Sequence, residues 1–291
     1  MTVRVNPAQA VLTTPSPGLR MWRRLRRNPS AVFAGLSLIL VTSFACLGPL
    51  LYRIDPNSID FAQQFAHPSA AHPFGTDENG RDVMVRLMLG GRVSLAVGVF
   101  AVLLSVTLGT LLGALAGYYR GVAGALLMRI TDGMLAIPSF FVTVMALTFF
   151  GAGITQLVTV IGLTSWMGLS RLTYGEVLKY REEIAVEAAR ALGAGDARIL
   201  WRHVLPQVFP TILVNASLGI SFAILTESAL SFLGLGVQPP AASWGNMLSN
   251  AQNYLYAAPL LAVYPGALIL LTVLGFNLLG DAVRDATDPA G

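Results

Sequence analysis

Six apolar runs dominate this chain: Ala31–Leu51, Val93–Gly117, Gly133–Phe150, Ile154–Leu172, Thr211–Leu235 and Pro259–Gly280. Each matches the roughly 17–25 residues that a helix needs to cross a ~30 Å hydrocarbon layer. No water reaches the backbone in such a layer, so every N–H and C=O must be satisfied within the segment, and helices are the default. Strands of a membrane barrel would alternate with a period of two, and these runs do not. The expected fold class is an all-α integral membrane protein with six transmembrane helices. Composition agrees. Only 12% of residues are charged and 54% are hydrophobic, against about 25% charged in soluble proteins. That leaves too little polar surface to cover a water-soluble body.

The cations orient the runs. With the N-terminus in the cytoplasm, the inner segments hold fifteen Arg and Lys residues, including Arg20, Arg23, Arg24, Arg26 and Arg27 ahead of the first run. The outer segments hold four: Arg53, Arg81, Arg86 and Arg92. Positive charge concentrates on the cytoplasmic side, so both termini are expected inside. Clustering between apolar blocks also argues against a nucleic-acid partner. A secretory signal with Cys46 as a lipidated cysteine is the competing account of the first run. Bulky Phe44 stands where a small residue is wanted, and the run continues past Cys46, so a retained helix fits better. The expected organisation is a basic tail over 1–30, unstructured through residue 19, a first span over 31–51, an external loop over 52–92, and a membrane domain over 93–291. A long cytoplasmic loop over 174–210 interrupts that domain.

This loop reads EAARALGAGDARILWRHVLP from Glu187 to Pro206. Strong helix formers precede Gly193 and Gly195, which mark a helix end. Ala197–Leu205 reads as a second short helix, with Pro206 where the chain turns back to the membrane. Small Ala188 and Ala189 suit insertion into a partner's groove. The bland alternative is an ordinary helical hairpin between spans. The full spacing, however, resembles the EAA loop of ABC-importer permeases: Glu187, Ala188, Ala189, Gly193, Leu205 and Pro206 fall at that family's positions. His203 occupies a position that is commonly Ile, in an Arg-His-x-Leu-Pro ending that resembles the peptide-importer branch. Three further stretches resemble the C-type permease of dipeptide, oligopeptide and nickel importers. They are Arg23–Pro29, Phe74–Asp82 followed by Gly91–Leu95, and Glu227–Pro240 followed by Ser243–Gly245.

This resemblance implies a type I ABC importer permease fold and a division of labour. A second permease completes the pore, two ATPase subunits each take a coupling helix from an EAA loop, and an extracytoplasmic solute-binding protein delivers the solute. The chain itself would be non-catalytic and free of cofactors. No His-Glu-x-x-His, Gly-x-Ser-x-Gly or Gly-x-x-x-x-Gly-Lys motif occurs, so none of those sites for hydrolysis or ATP binding is encoded. An ion-coupled secondary transporter is the alternative from another class. It needs intramembrane carboxylates in a relay, and Glu227 is the one clear example.

Among the remaining residues, Glu227, Asn215 and Ser221 are candidates for the translocation pathway, because a carboxylate inside a span is costly and marks either a pathway or a paired helix interface. Ser217 with Ser221, four apart, reads as helix packing. Arg129 and Asp132 read as an i,i+3 ion pair. His67 and His72 lack further ligands, so no metal site is expected. Gly80–Gly91 reads as a short interfacial amphipathic helix.

Overall fold

The structure is a computed structural model that describes residues 17–287. The expectation of an unstructured tail lies outside the described residues as far as residue 16. Beyond it, Pro17–Arg27 is helical (α1). Asn28 then caps α2 (Pro29–Leu51), its side chain accepting from the Ser30 and Ala31 amides. This helix continues five residues past Cys46, which is exposed on it. The other helices are α3 (Val83–Tyr119), α4 (Gly121–Leu135), α5 (Ser139–Phe150), α6 (Ile154–Tyr180), α7 (Ile184–Ala191), α8 (Asp196–Ile199), α9 (Leu205–Phe232), α10 (Trp244–Ala251) and α11 (Leu260–Thr287).

Among the described residues, four helical stretches are long and apolar enough to cross a membrane: α2, α3, Asp196–Phe232 and α11. A fifth span forms if α4 and α5 count as one, bent by 84°. The bend has a local cause. Pro138 pushes Ile137 out of the helical region, and the chain restarts as α5 with Pro138 as its cap. The remaining apolar run lies in α6, whose 27 residues give it the length. It is less apolar, with Gln156, several Thr and Ser, and Arg171, Glu176 and Lys179 along it, and it packs closely on α3.

That packing is made by glycine. Gly109, Gly113 and Gly117 repeat every four residues along one face of α3. A Cβ at these positions would meet the Trp166, Ser170 and Tyr174 carbonyl oxygens of α6 at 2.7, 2.3 and 2.9 Å. Gly162 returns the contact, its missing Cβ lying 2.9 Å from the Ala101 oxygen. Small residues let membrane helices approach to backbone contact, where dispersion replaces the absent hydrophobic drive.

Two boundaries and one ion pair differ from the sequence reading. Gly80–Gly91 is no separate interfacial helix. From Val83 onward it is the first part of α3, with Val83, Arg86 and Leu87 buried. The third apolar run falls on two helices, α4 from Gly121 and α5 from Ser139, parted at 136–138, and is not one helix from Gly133. Asp132 pairs with Arg171 on α6 at 3.0 Å, not with Arg129.

Gly113→Ala is expected to lower the thermal midpoint of the detergent-purified chain by several degrees, since overpacking costs about 1–3 kcal/mol. Gly133→Ala, with nothing within 4 Å of the added methyl, should leave the midpoint unchanged. Equal melting of the two variants would contradict the close contact.

Candidate functional site: an exposed elbow, a polar-edged cavity and a buried carboxyl hub

Glu187 to Pro206 forms a rigid elbow at the end of the bundle where α3 and α6 finish. Helix α7 closes with Gly193 at φ +82°. The Gly193 amide donates to the Arg190 carbonyl (3.0 Å) and the Ala194 amide to the Ala189 carbonyl (3.0 Å). This double bond pattern satisfies the last carbonyls of a helix and needs a left-handed residue at its pivot. Beneath it, Val186, Ile199, Leu200, Val204 and Val208 pack with Ala114, Tyr118 and Val177 of α3 and α6. Polar ties fix the orientation. Tyr118 Oη donates to Asp196 Oδ1 (2.8 Å), Gln207 Nε2 donates to Glu183 Oε2 (3.1 Å), and Arg181 donates to the Tyr118 carbonyl.

The second half of the elbow departs from the sequence reading. No helix ends at Leu205. Asp196–Ile199 runs through a π-turn, Leu200–Val204, directly into α9. Pro206 has no N–H to give the Arg202 carbonyl, and its ring crowds that oxygen. The helix widens just ahead of it, so the Leu205 amide reaches Leu200 instead. Pro206 therefore marks a wide turn in a continuous helix, not a change of direction.

Of the elbow residues singled out from sequence, Glu187, Ala188, Gly193 and Pro206 are exposed, Ala189 and His203 are half-buried, and Leu205 is buried. Two residues were missed. Ile184 and Leu192 are 84% and 89% exposed, a large apolar pair on a tip whose other exposed residues are alanines, Glu187, Arg190 and Gly193. The signal for them was present: apolar side chains at positions the charged helix pattern assigns to solvent.

A cavity of about 600 Å³ opens where α4 breaks into α5. Most of its wall is apolar, from Val102, Leu169 and Phe222 among others, with Ser105, Ser139, Thr164, Ser165 and Asn215 as polar points. The three pathway candidates separate here. Asn215 lines the cavity. Ser221 does not, because its hydroxyl donates to the Val273 carbonyl of α11 (3.1 Å), as Ser217 does to Phe276 (2.6 Å). The Ser217–Ser221 face is thus helix packing.

Glu227 is fully buried, away from the cavity. Its Oε2 accepts from Ser94 of α3 (2.9 Å) and its Oε1 from Ser231 (2.7 Å). The same two hydroxyls accept the Trp244 and Val237 amides at 3.3 and 3.2 Å. Ser243 and Asn246 close a capping box on α10, and the Trp244 indole donates to the Leu87 carbonyl (3.0 Å). One carboxyl thereby holds the returning segment 236–246 against α3 and α9. In the structure Glu227 pairs with the neighbouring helix α3 through Ser94 and does not line the cavity.

At the same end, His72 Nδ1 lies 2.8 Å from Asp82 Oδ2, which also accepts from Tyr52 Oη (2.7 Å), while Asp82 Oδ1 caps α3 at Val85 (2.9 Å). Burial and this hydrogen bond push the Tyr52 phenol above its usual range, keeping it a neutral donor. His72 is a loop staple to the helix cap.

Residues 109–290 match the family model described as the binding-protein-dependent transport system inner membrane component. The chain belongs to this family. Residues 16–68 of this permease also match the N-terminal transmembrane domain of oligopeptide transport permease C. The glutathione transport system permease protein GsiD of Pectobacterium atrosepticum is 41% identical, over 94% of this chain and 91% of its own. The dipeptide transport system permease protein DppC of Alkalihalophilus pseudofirmus is 39% identical, over 97% and 93%. Among solved structures, a chain of the MetNI methionine ABC transporter in an inward-facing conformation has a TM-score of 0.56 at 19% identity, covering 71% of this chain and 98% of its own. That likeness shows the fold. The permease is a multi-pass protein of the bacterial inner membrane and a C-type ABC-importer permease, which sets aside the ion-coupled alternative.

Glu227→Ala is expected to lower the thermal midpoint of the purified permease and to speed proteolysis within 236–243. It leaves two buried hydroxyls without their acceptor, at about 1–3 kcal/mol each. Glu227→Gln, which keeps an acceptor oxygen, should recover most of the loss. An alanine variant that melts and resists protease like the wild type would remove the hub.

Proposed function

We propose that this permease moves small peptides or glutathione into the cytoplasm by alternating access, as one half of a pore whose other half is a second permease. Two ATPase subunits drive it through the elbow, and an extracytoplasmic solute-binding protein supplies the solute. The exposed, braced elbow carries this reading. A tip that shows Ile184 and Leu192 to solvent has the form of a plug awaiting a socket, since exposed apolar groups next to a rigid frame mark a contact surface. Glu187, Ala188, Ala189 and Gly193 lie on the plug, and His203, Leu205 and Pro206 form its root. The solute class follows the named transport of the relatives, glutathione and dipeptides.

Six spans are proposed, with α6 as the one that mean hydropathy alone understates and α4 with α5 as a single broken span. Both termini and the elbow then face the cytoplasm, and residues 52–82 with 236–258 face outward. The cavity at the α4–α5 break, with Asn215 at its edge, is the proposed stretch of pathway. ATP-driven closure of the ATPase pair moves the elbow, and α9 carries that movement from the π-turn to Asn215 along one helix. The pathway is a two-state element biased by nucleotide.

Two variants test the elbow. Gly193→Pro removes the amide bonded to Arg190 and forbids the positive φ. Glu187→Lys reverses charge in the first turn of α7, where an acidic group is favoured. In the reconstituted assembly, each should cut solute uptake at least tenfold while ATP hydrolysis and membrane insertion persist. Normal uptake in both would take the elbow out of the mechanism. Transport by the purified chain with no ATPase copurifying would overturn the whole reading.

A further inference from the structure

We propose that helix α1 is a docking surface for the headgroups of anionic phospholipid, next to the point where the first span enters the membrane. The helix reads PGLRMWRRLRR. Met21 and Leu25, one turn apart, are half-buried, and α1 packs on α2 and α11. Arg24 Nη1 reaches the Ala286 carbonyl in the last turn of α11 at 3.5 Å. The helix is therefore stapled in place and presents its other face outward. That face holds Arg23, Arg26 and Arg27, all exposed, and Trp22, 57% exposed with the Arg26 guanidinium 5.7 Å above its ring.

Like charges three and four residues apart on one helix repel. Among the described residues, no carboxylate lies within ion-pair distance of Arg23, Arg26 or Arg27. Among the described residues the face therefore has no counter-charge, and an anion from outside the chain would supply one. Only Asn28 separates it from α2, so the headgroup layer is the anionic surface within reach. Arginine pairs with phosphate through a planar fork, and tryptophan settles at the membrane–water boundary. Basic clusters beside a span bind anionic lipid. The proposal rests on the cytoplasmic placement of α1 for its choice of leaflet alone.

The probes are phosphatidylglycerol and phosphatidylcholine, mixed equally in detergent micelles with the full-length permease and read by native mass spectrometry. The wild type should retain phosphatidylglycerol over phosphatidylcholine, and the R23Q/R26Q/R27Q variant should lose about tenfold or more of that retention. Replacing the same three with Lys should preserve most of it. Raising salt from 0.1 to 0.5 M should weaken retention by the wild type, which needs no variant to fold. Salt-independent retention, or equal retention by the Gln variant, would overturn the proposal. So would a Gln variant that keeps its lipid but loses a copurifying protein, since the face would then belong to that protein. Orientation is read separately with Ser30→Cys in a Cys46→Ser background. Labelling of intact cells by an impermeant thiol reagent would overturn the orientation and the leaflet, while lipid retention in micelles reports on the face in either orientation.

Discussion

The bundle depends on one contact, the backbone-to-backbone approach of α3 and α6 through Gly109, Gly113 and Gly117. Lipid tails are as apolar as leucine, so burying apolar side chains gains little inside a membrane, and close approach must supply the attraction. Every other element is placed from this pair. The Leu147–Leu157 region of α5 and α6 packs on Val97 and Ala101 of α3. Helix α9 packs on both, α11 packs on α9, and α2 packs on α3 and α11. The elbow core uses Ala114 and Tyr118, one turn or less from the last of the three glycines.

Polar groups mark the two ends of this pair and serve different purposes. Near Val83 they fasten irregular chain. Asp82, His72 and Tyr52 pin the loop to the start of α3, and Glu227 with Ser94, Ser231 and Ser243 pins 236–246. Non-helical backbone at membrane depth is tolerated only where its amides find partners, and the Val237 and Trp244 amides find them on hydroxyls oriented by one carboxyl. Near Tyr119 the polar groups brace instead: Arg181, Asp196, Glu183 and Gln207 join the ends of α3, α6, α7 and α9. One end fastens irregular chain to the bundle, and the other ties helix ends to one another.

Local signals in the sequence located what is local in the structure. Gly193 ends α7 because a helix end needs one left-handed residue, and glycine after a run of helix formers announces it. The apolar runs placed the long helices to within a few residues at one end or the other. What the sequence concealed was partnership at a distance. Glu227 looks the same as text whether it lines a pathway or meets Ser94, 133 residues earlier. Asp132 seemed to belong with Arg129 because the spacing allows it, yet Arg171 on another helix takes it. The charged residues at 129 and 132 hid the start of the third span by looking like loop. Pro206 misled for another reason. Proline forbids one hydrogen bond, and the chain answered with a wider turn rather than a corner, a choice that packing against Val186 and Tyr118 decides.

That wider turn bears on how force would travel in the proposed mechanism. A corner at Pro206 would let the elbow swing on a hinge and dissipate a push. A helix that continues from Asp196 to Phe232 through a π-turn stays hydrogen-bonded across the junction, so in the proposed mechanism a displacement of α7 and α8 would pass into α9 as a movement of the whole rod. Ser217 and Ser221 hold the rod to α11, while Asn215 and Gly219 face the cavity. The opposite wall of that cavity is the α4–α5 break, where three residues outside both helices, 136–138, join the two at 84°. In the proposed mechanism, a stiff wall facing a jointed one would turn a small axial shift of α9 into a change of aperture, with the joint taking up the displacement that the close-packed α3–α6 pair resists.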